Sequence, residues 1–288
     1  MPLELFEDAL GDPRNAQFLA LASDLAYLPD GTKFKTELGL DAKLFSAGNT
    51  QAFVATNADH IVVAFRGTEA PTSIEGLKDW LLTDAGNLLI QPQGDLGTDF
   101  AAAGVGARWH HGFMQALSTI WEPVFTTVQA ERKRSDRPLW VTGHSLGGAL
   151  ALLAAWRFKR KFVPVHQVYT FGAPMVGNDI TATAIDRELP RKVFRYVNDQ
   201  DPIPTLPTLS LLANGYRHCQ SEVGLGLTAA GGATLTAIDY FKEWAGKTAN
   251  GVLQGKLLDD FWQGLQQRVG AHAMENYRKR VTELFTKK

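Results

Sequence analysis

The stretch that most constrains the fold is PLWVTGHSLGGALALLAAW, residues 138–156: a short apolar run, a turn in which three of six residues are glycine, and an alanine- and leucine-rich run. An extended segment that passes directly into a helix is the unit from which parallel sheets covered by helices are built. The turn reads Gly143, His144, Ser145, Leu146, Gly147. A sharp strand-to-helix turn strains its central residue, and a Cβ two positions away on either side would collide with neighbouring backbone, which makes Gly143 and Gly147 the small flanks of a nucleophile elbow. Ser145 would then stand at a helix N-terminus, in a field that favours negative charge. A five-residue pattern recurs by chance, and a glycine-flanked serine is often only a cap; the strand before it and the helix after it favour a nucleophile.

The rest of the chain repeats the alternation. Short apolar or β-branched runs predict strands at 52–57, 60–67, 138–143, 166–172, 192–198 and 215–222, and helices are predicted at 15–27, 112–131, 147–160, 178–188 and 257–285. Several of these strands are apolar throughout, as expected when helices cover both faces of the sheet. The fold class is therefore α/β, with a mostly parallel central sheet. The 288 residues are expected to form one domain with insertions. Two stretches depart from the alternation. Residues 69–109 are rich in Gly, Pro and Thr, and 223–255 contain an amphipathic face with Ile238, Phe241 and Trp244 between glycines. Trp80 and these three residues are candidates for a cap over a substrate groove; the alternative is that both stretches simply pack on the core.

With 45% hydrophobic and 20% charged residues, neither disorder nor a fibrous class is indicated. The net charge of −1 and the lack of any long charge run leave no footprint for nucleic acid. The single Cys219 excludes an internal disulfide and a multi-thiolate metal site, and reads as a small packing residue. No cofactor is expected. The N-terminal stretch lacks a basic region followed by an apolar one, so no signal peptide is predicted, and no run approaches the roughly 20 apolar residues that span a bilayer. Oligomeric state is left open.

If Ser145 is a nucleophile on an α/β-hydrolase sheet, an acid and then a histidine should follow it. Three histidines do. His166 opens a strand too soon after the elbow, His218 lies within an alternating strand-like run, and His272 follows Gly270 in a loop-like approach to a terminal helix, where an imidazole has freedom to reach a serine. For the acid, YVNDQDPIP leaves a strand and offers Asp199 and Asp201; spacing does not separate them. An oxyanion hole needs two donors. Leu146 N–H is one, and Thr68 after the tight turn at Gly67 is a candidate for the other, unless Thr68 caps a following helix.

The motifs VVAFRGTE, DWLLTD, HHGF, VTGHSLGGALA, YTFGAPMVGN, YVNDQDPIPTLP and HAMENY, in this order and at this spacing, resemble the class 3 lipase family of α/β-hydrolases. The resemblance runs from about residue 52 to residue 277. It implies Ser145 as nucleophile, Asp201 as acid, His272 as base, Gly67 and Thr68 as the oxyanion element, and His110 with Gly112 and Phe113 as a structural element, His110 being a hydrogen-bonder rather than a catalyst. The activity implied is hydrolysis of lipid carboxylic esters through an acyl-enzyme. The alternatives are an esterase acting on soluble esters, a phospholipid or galactolipid acyl hydrolase, and a silent interaction protein on the same scaffold. The longer segments at 69–109 and 223–255 depart from the fungal members, as does the lack of cysteine pairs.

Overall fold

Alternate residues of the central strands enter two separate cores. In the computed structural model, which describes residues 3–68, 89–92, 95–205, 215–226 and 269–286, Ile61, Val63 and Phe65 enter one apolar cluster while Val62 and Ala64 enter the other. Val141 and Val168 likewise face the first, and Trp140, Tyr169 and Phe171 the second. This is the period-two consequence of a pleated strand buried on both faces.

The strands are β1 (Asp41–Ala47), β2 (Thr50–Thr56), β3 (Ile61–Phe65), β4 (Leu89–Ile90), β5 (Trp109–His110), β6 (Leu139–His144), β7 (Gln167–Phe171), β8 (Val193–Val197) and β9 (Ser221–Gly224). The helices are α1 (Pro13–Leu25), α2 (Thr32–Leu38), α3 (Asp95–Ala101), α4 (His111–Arg134), α5 (Leu146–Arg160), α6 (Asp179–Glu188), α7 (Val269–His272) and α8 (Met274–Thr286), with a 3-10 turn at Ile203–Thr205. Seven strands form one sheet in the order β1-β2-β3-β6-β7-β8-β9, antiparallel across β1, β2 and β3 and parallel from there on. Helices α4 and α5 cover one face; α1, α2 and α8 cover the other. The protein has an α/β-hydrolase fold, with helices on both sides of a mostly parallel sheet.

Register decides where the site can be. Phe65 pairs with Gly143, His144 with Phe171, and Phe171 with Tyr196. The carboxyl ends of β3, β6, β7 and β8 therefore reach one edge together, and the loops leaving them share that edge, where open α/β sheets hold their ligands.

The structure differs from the sequence expectation at several points. Strand β1 was not expected; only one of its seven residues is buried, so it carries no apolar run. The strand expected at 215–222 is confined to Ser221–Gly224, because the chain before it only bridges Asn178 at Tyr216 and Gln220 adopts φ 50°. The expected helix 257–285 begins outside the described residues and within them is divided at Ala273 into α7 and α8. Of the segment 69–109, residues 69–88 lie outside the described residues; in the described part β4 pairs with β5 and Phe100, Ala103, Ala107 and Trp109 are buried, while Val105 is exposed.

Candidate active site

The elbow is as tight as its glycines suggest. Strand β6 ends at His144 and α5 begins at Leu146, leaving Ser145 alone between them at φ 58° and ψ −130°. A non-glycine residue held there costs on the order of 1–3 kcal/mol and persists only where its surroundings fix it. They do: Ser145 N–H donates to Phe171 O at 2.9 Å, and Ser145 O accepts from Gly148 N at 2.9 Å. A Cβ on Gly143 would lie 2.2 Å from Gly147 O, and one on Gly147 would lie 2.2 Å from Phe65 O. Neither position tolerates a side chain.

The exit of β3 crosses directly over this turn. A Cβ on Gly67 would meet the Ser145 Cβ at 3.2 Å and His144 O at 2.8 Å, so the chain at Gly67 runs against Ser145. The Thr68 hydroxyl oxygen is buried and has no hydrogen-bond partner. Leu146 is the first residue of α5, where an N–H has no intrahelical acceptor and is free to point outward.

Asp201 lies in the turn after β8 and is 1% exposed. Its Oδ1 accepts from Ile203 N at 2.9 Å, and its Oδ2 accepts from His272 Nδ1 at 2.7 Å and from the Tyr277 hydroxyl at 2.6 Å. A carboxylate accepts only, so Nδ1 of His272 carries the proton and Nε2 presents its lone pair. That Nε2 is buried with no hydrogen-bond partner. Asp199, the alternative acid, is exposed and directs its carboxylate toward Gly226 instead.

Three residues that the sequence did not single out hold this pair. Gly172 has φ +60°, and a Cβ there would come within 2.8 Å of Asp201 Oδ2 and 3.1 Å of His272 Cε1. Asn198 donates from Nδ2 to Ala271 O at 2.8 Å, tying the acid's turn to the histidine's. Tyr277 accepts from Asn198 N at 3.1 Å while donating to Asp201; burial, then Asp201 itself, drives its phenol well above the ordinary range, so it stays a donor. The glycine that ends the expected strand 166–172 was the available signal for the first; nothing local marks Asn198.

Two other buried histidines make contacts away from this pair. His110 caps α4 by accepting from Phe113 N at 3.3 Å and stacks on the Phe113 ring, and burial pushes it down to about 3. His218 contacts Pro204 O at 2.6 Å and is likewise pushed down to about 3 by burial. Cys219 is buried, which pushes its thiol up to about 12. Among the described residues no group of His, Cys, Asp or Glu could hold a metal, and no helix is long and apolar enough to cross a membrane. Trp80, Ile238, Phe241 and Trp244, the candidate cap residues, lie outside the described residues.

Known proteins show the same arrangement of chain. A secreted mono- and diacylglycerol lipase, LIP1, of Malassezia globosa is 28% identical over 226 residues, which cover 74% of this chain and 69% of that one. Other curated relatives match over 34% to 62% of their own length. The crystal structure of the Lip2 lipase of Yarrowia lipolytica superposes with a TM-score of 0.62 at 22% identity, covering 73% of this chain and 77% of that one. A solved triacylglycerol lipase, described as having a serine protease triad for its catalytic centre, does so with a TM-score of 0.58 at 25% identity, covering 75% and 82%. Residues 62–211, which hold the elbow, the oxyanion candidate and Asp201, match the family model for lipase (class 3). With half of its length matched by that model, the chain belongs to the class 3 lipase family.

Proposed function

We propose that this lipase hydrolyses carboxylic esters of lipids with Ser145 as nucleophile, His272 as general base and acid, and Asp201 as the group that orients the imidazole. Membership of a lipase family gives the reaction class; the residue roles are our assignment. The observation that carries it is the 2.7 Å bond from His272 Nδ1 to Asp201, which leaves Nε2 unpartnered, in a ring 4.6 Å from that of His144, the residue before the strained Ser145.

In the first half-reaction Ser145 Oγ attacks the ester carbonyl carbon while its proton passes to His272 Nε2. Asp201 stabilises the imidazolium without taking its proton. The carbonyl oxygen becomes an oxyanion facing the N–H groups of Leu146 and Thr68 and the Thr68 hydroxyl. Collapse breaks the ester C–O bond, and the alcohol leaves with the proton from His272. Water, deprotonated by the same Nε2, then attacks the acyl-enzyme and releases the fatty acid.

The test is a series of p-nitrophenyl esters from acetate to palmitate, below and above the aggregation threshold, on the wild type and Ser145→Ala. Loss of at least about 10³-fold in kcat in Ser145→Ala is expected, and the wild type should favour longer acyl chains. Equal activity in the two proteins would remove Ser145 from the reaction; a preference confined to short, soluble esters would make the protein an esterase.

A further inference from the structure

Beneath the triad lies a second histidine that the mechanism does not use. His144, one residue before the nucleophile, is fully buried, and its ring centroid is 4.6 Å from that of His272 at an interplanar angle of 33°. Its Nδ1 is 2.8 Å from the hydroxyl of Tyr27, a residue 117 positions earlier. Its Nε2 is 2.7 Å from the backbone oxygen of His272. The Tyr27 oxygen in turn packs against Gly67, where an added Cβ would fall 2.2 Å from it.

The direction of both bonds follows from the His272 end. The His272 carbonyl can only accept, so His144 Nε2 carries the proton and donates. A neutral imidazole protonated on Nε2 has a lone pair on Nδ1, so Tyr27 must donate its O–H to that atom. The Tyr27 oxygen, its proton committed to His144, lies against Gly67. Burial keeps the ring neutral, holding His144 well below the ordinary histidine range, and it drives Tyr27 upward, so neither member changes role near neutral pH. A histidine that only filled space under the elbow would not need one acceptor, one donor and one tautomer to agree.

The two ends matter to different halves of the reaction. Gly67 precedes Thr68 and lies against the Ser145 Cβ. The other end is the backbone of His272 itself, carried on the four-residue α7 and held by side-chain donors at two consecutive carbonyls: Asn198 at Ala271 O and His144 at His272 O. We propose that Tyr27 and His144 are positioning residues for ester hydrolysis, a hydrogen-bond relay that runs from Tyr27, packed against the β3 exit at Gly67, through His144 to the backbone of the catalytic histidine. This rests on the assignment of Ser145, His272 and Asp201 made above.

The test uses Tyr27→Phe, His144→Leu, their double variant, and His144→Gln, whose amide offers one acceptor and one donor at nearly the imidazole spacing. Each is assayed on p-nitrophenyl butyrate for kcat and KM, for the rate of phosphonylation by a fluorophosphonate, and for thermal unfolding. Misplacing reacting groups by about 1 Å costs on the order of 10²-fold. We therefore expect Tyr27→Phe and His144→Leu each to lower kcat and the phosphonylation rate by about 10- to 100-fold with KM within about twofold. The double variant should be no worse than the poorer single, as for members of one chain, and His144→Gln should stay within about threefold of wild type.

Single variants that keep wild-type kcat overturn the relay. So do losses that add in the double variant and follow the unfolding temperature, which would mean separate packing contributions. If Tyr27→Phe does not fold, the comparison of His144→Gln with His144→Leu decides: equal activities overturn the proposal, and retention in Gln alone supports it. Ser145→Ala in the same assay separates the two readings. An active Ser145→Ala overturns the triad and the relay with it; an inactive one beside undamaged relay variants removes the relay alone.

Discussion

Asp201 is the residue on which the site converges. Two donors meet at its Oδ2 and one at its Oδ1, and only one of the three, His272, would take part in chemistry. Removing the other side-chain donor is informative. Tyr277→Phe leaves the His272 contact in place but strips Oδ2 of a partner and leaves Asn198 N–H without its acceptor. An unsatisfied buried group costs about 1–3 kcal/mol. We expect a loss of that size in urea unfolding with a fall in kcat; an unchanged midpoint would mean that water replaces the hydroxyl. Thr68→Ala keeps its backbone N–H, so it should cost less than the 10²- to 10³-fold expected for a lost oxyanion donor. Wild-type kcat in Thr68→Ala would leave the hydroxyl with no part in the reaction.

The residue scale also shows where the sequence stopped being readable. Asp199 and Asp201 share one turn, and their difference lies in direction: one carboxylate faces Gly226 and solvent, the other His272. Composition carries no trace of that direction. Tyr27 and His144 are 117 residues apart and meet only because α1 and β6 pack together, so no local pattern marks them as a pair.

Among the elements, the strand-turn-helix around Ser145 was the most legible, because its requirements are local: small residues at fixed offsets, a strand before and a helix after. Gly147→Ala tests the steric part of that logic. Its Cβ would lie 2.2 Å from a backbone oxygen of β3, an atom that cannot move without disturbing the sheet. Overpacking of this kind costs about 1–3 kcal/mol or more, and activity should fall further than stability, since the strain lands on the elbow. A fully active, fully stable Gly147→Ala would show that β3 and α5 can separate there. Strand β1 was illegible for the opposite reason. It is an edge strand with one buried residue in seven, recruited by its hairpin with β2 rather than by apolar pattern. In the described part of 69–109, Phe100 and Trp109 reach the core by packing edge to face on each other, with Trp156 of α5 beside Trp109.

Over the whole molecule, buried neutral histidines set the response to acid. His110 and His144 are both without exposure, and burial lowers both, His110 to about 3 and His144 well below its ordinary range. In the unfolded chain each titrates near 6.5. Between those values the unfolded state binds more protons than the folded one, so stability rises with pH. The stability they contribute is complete above about pH 6.5 and is lost as pH falls toward their folded values. The slope should reach about 1.4 kcal/mol per pH unit for each. Urea midpoints measured from pH 8 to pH 4 should be flat at first and then fall below about 6.5; His110→Asn should flatten part of that fall. A midpoint rising on acidification would contradict the assignment.

The order of the site along the chain has a further consequence in time. Asp201 precedes its histidine by 71 residues, and His144 precedes by 128 the carbonyl to which it bonds. A ribosome therefore finishes all seven strands of the sheet, elbow included, before His272 has been synthesised. On the proposed assignment of Ser145 and His272, a nascent chain carries its nucleophile without its base, and its capacity to cut lipid is expected only once α7 and α8 emerge and dock beside α1.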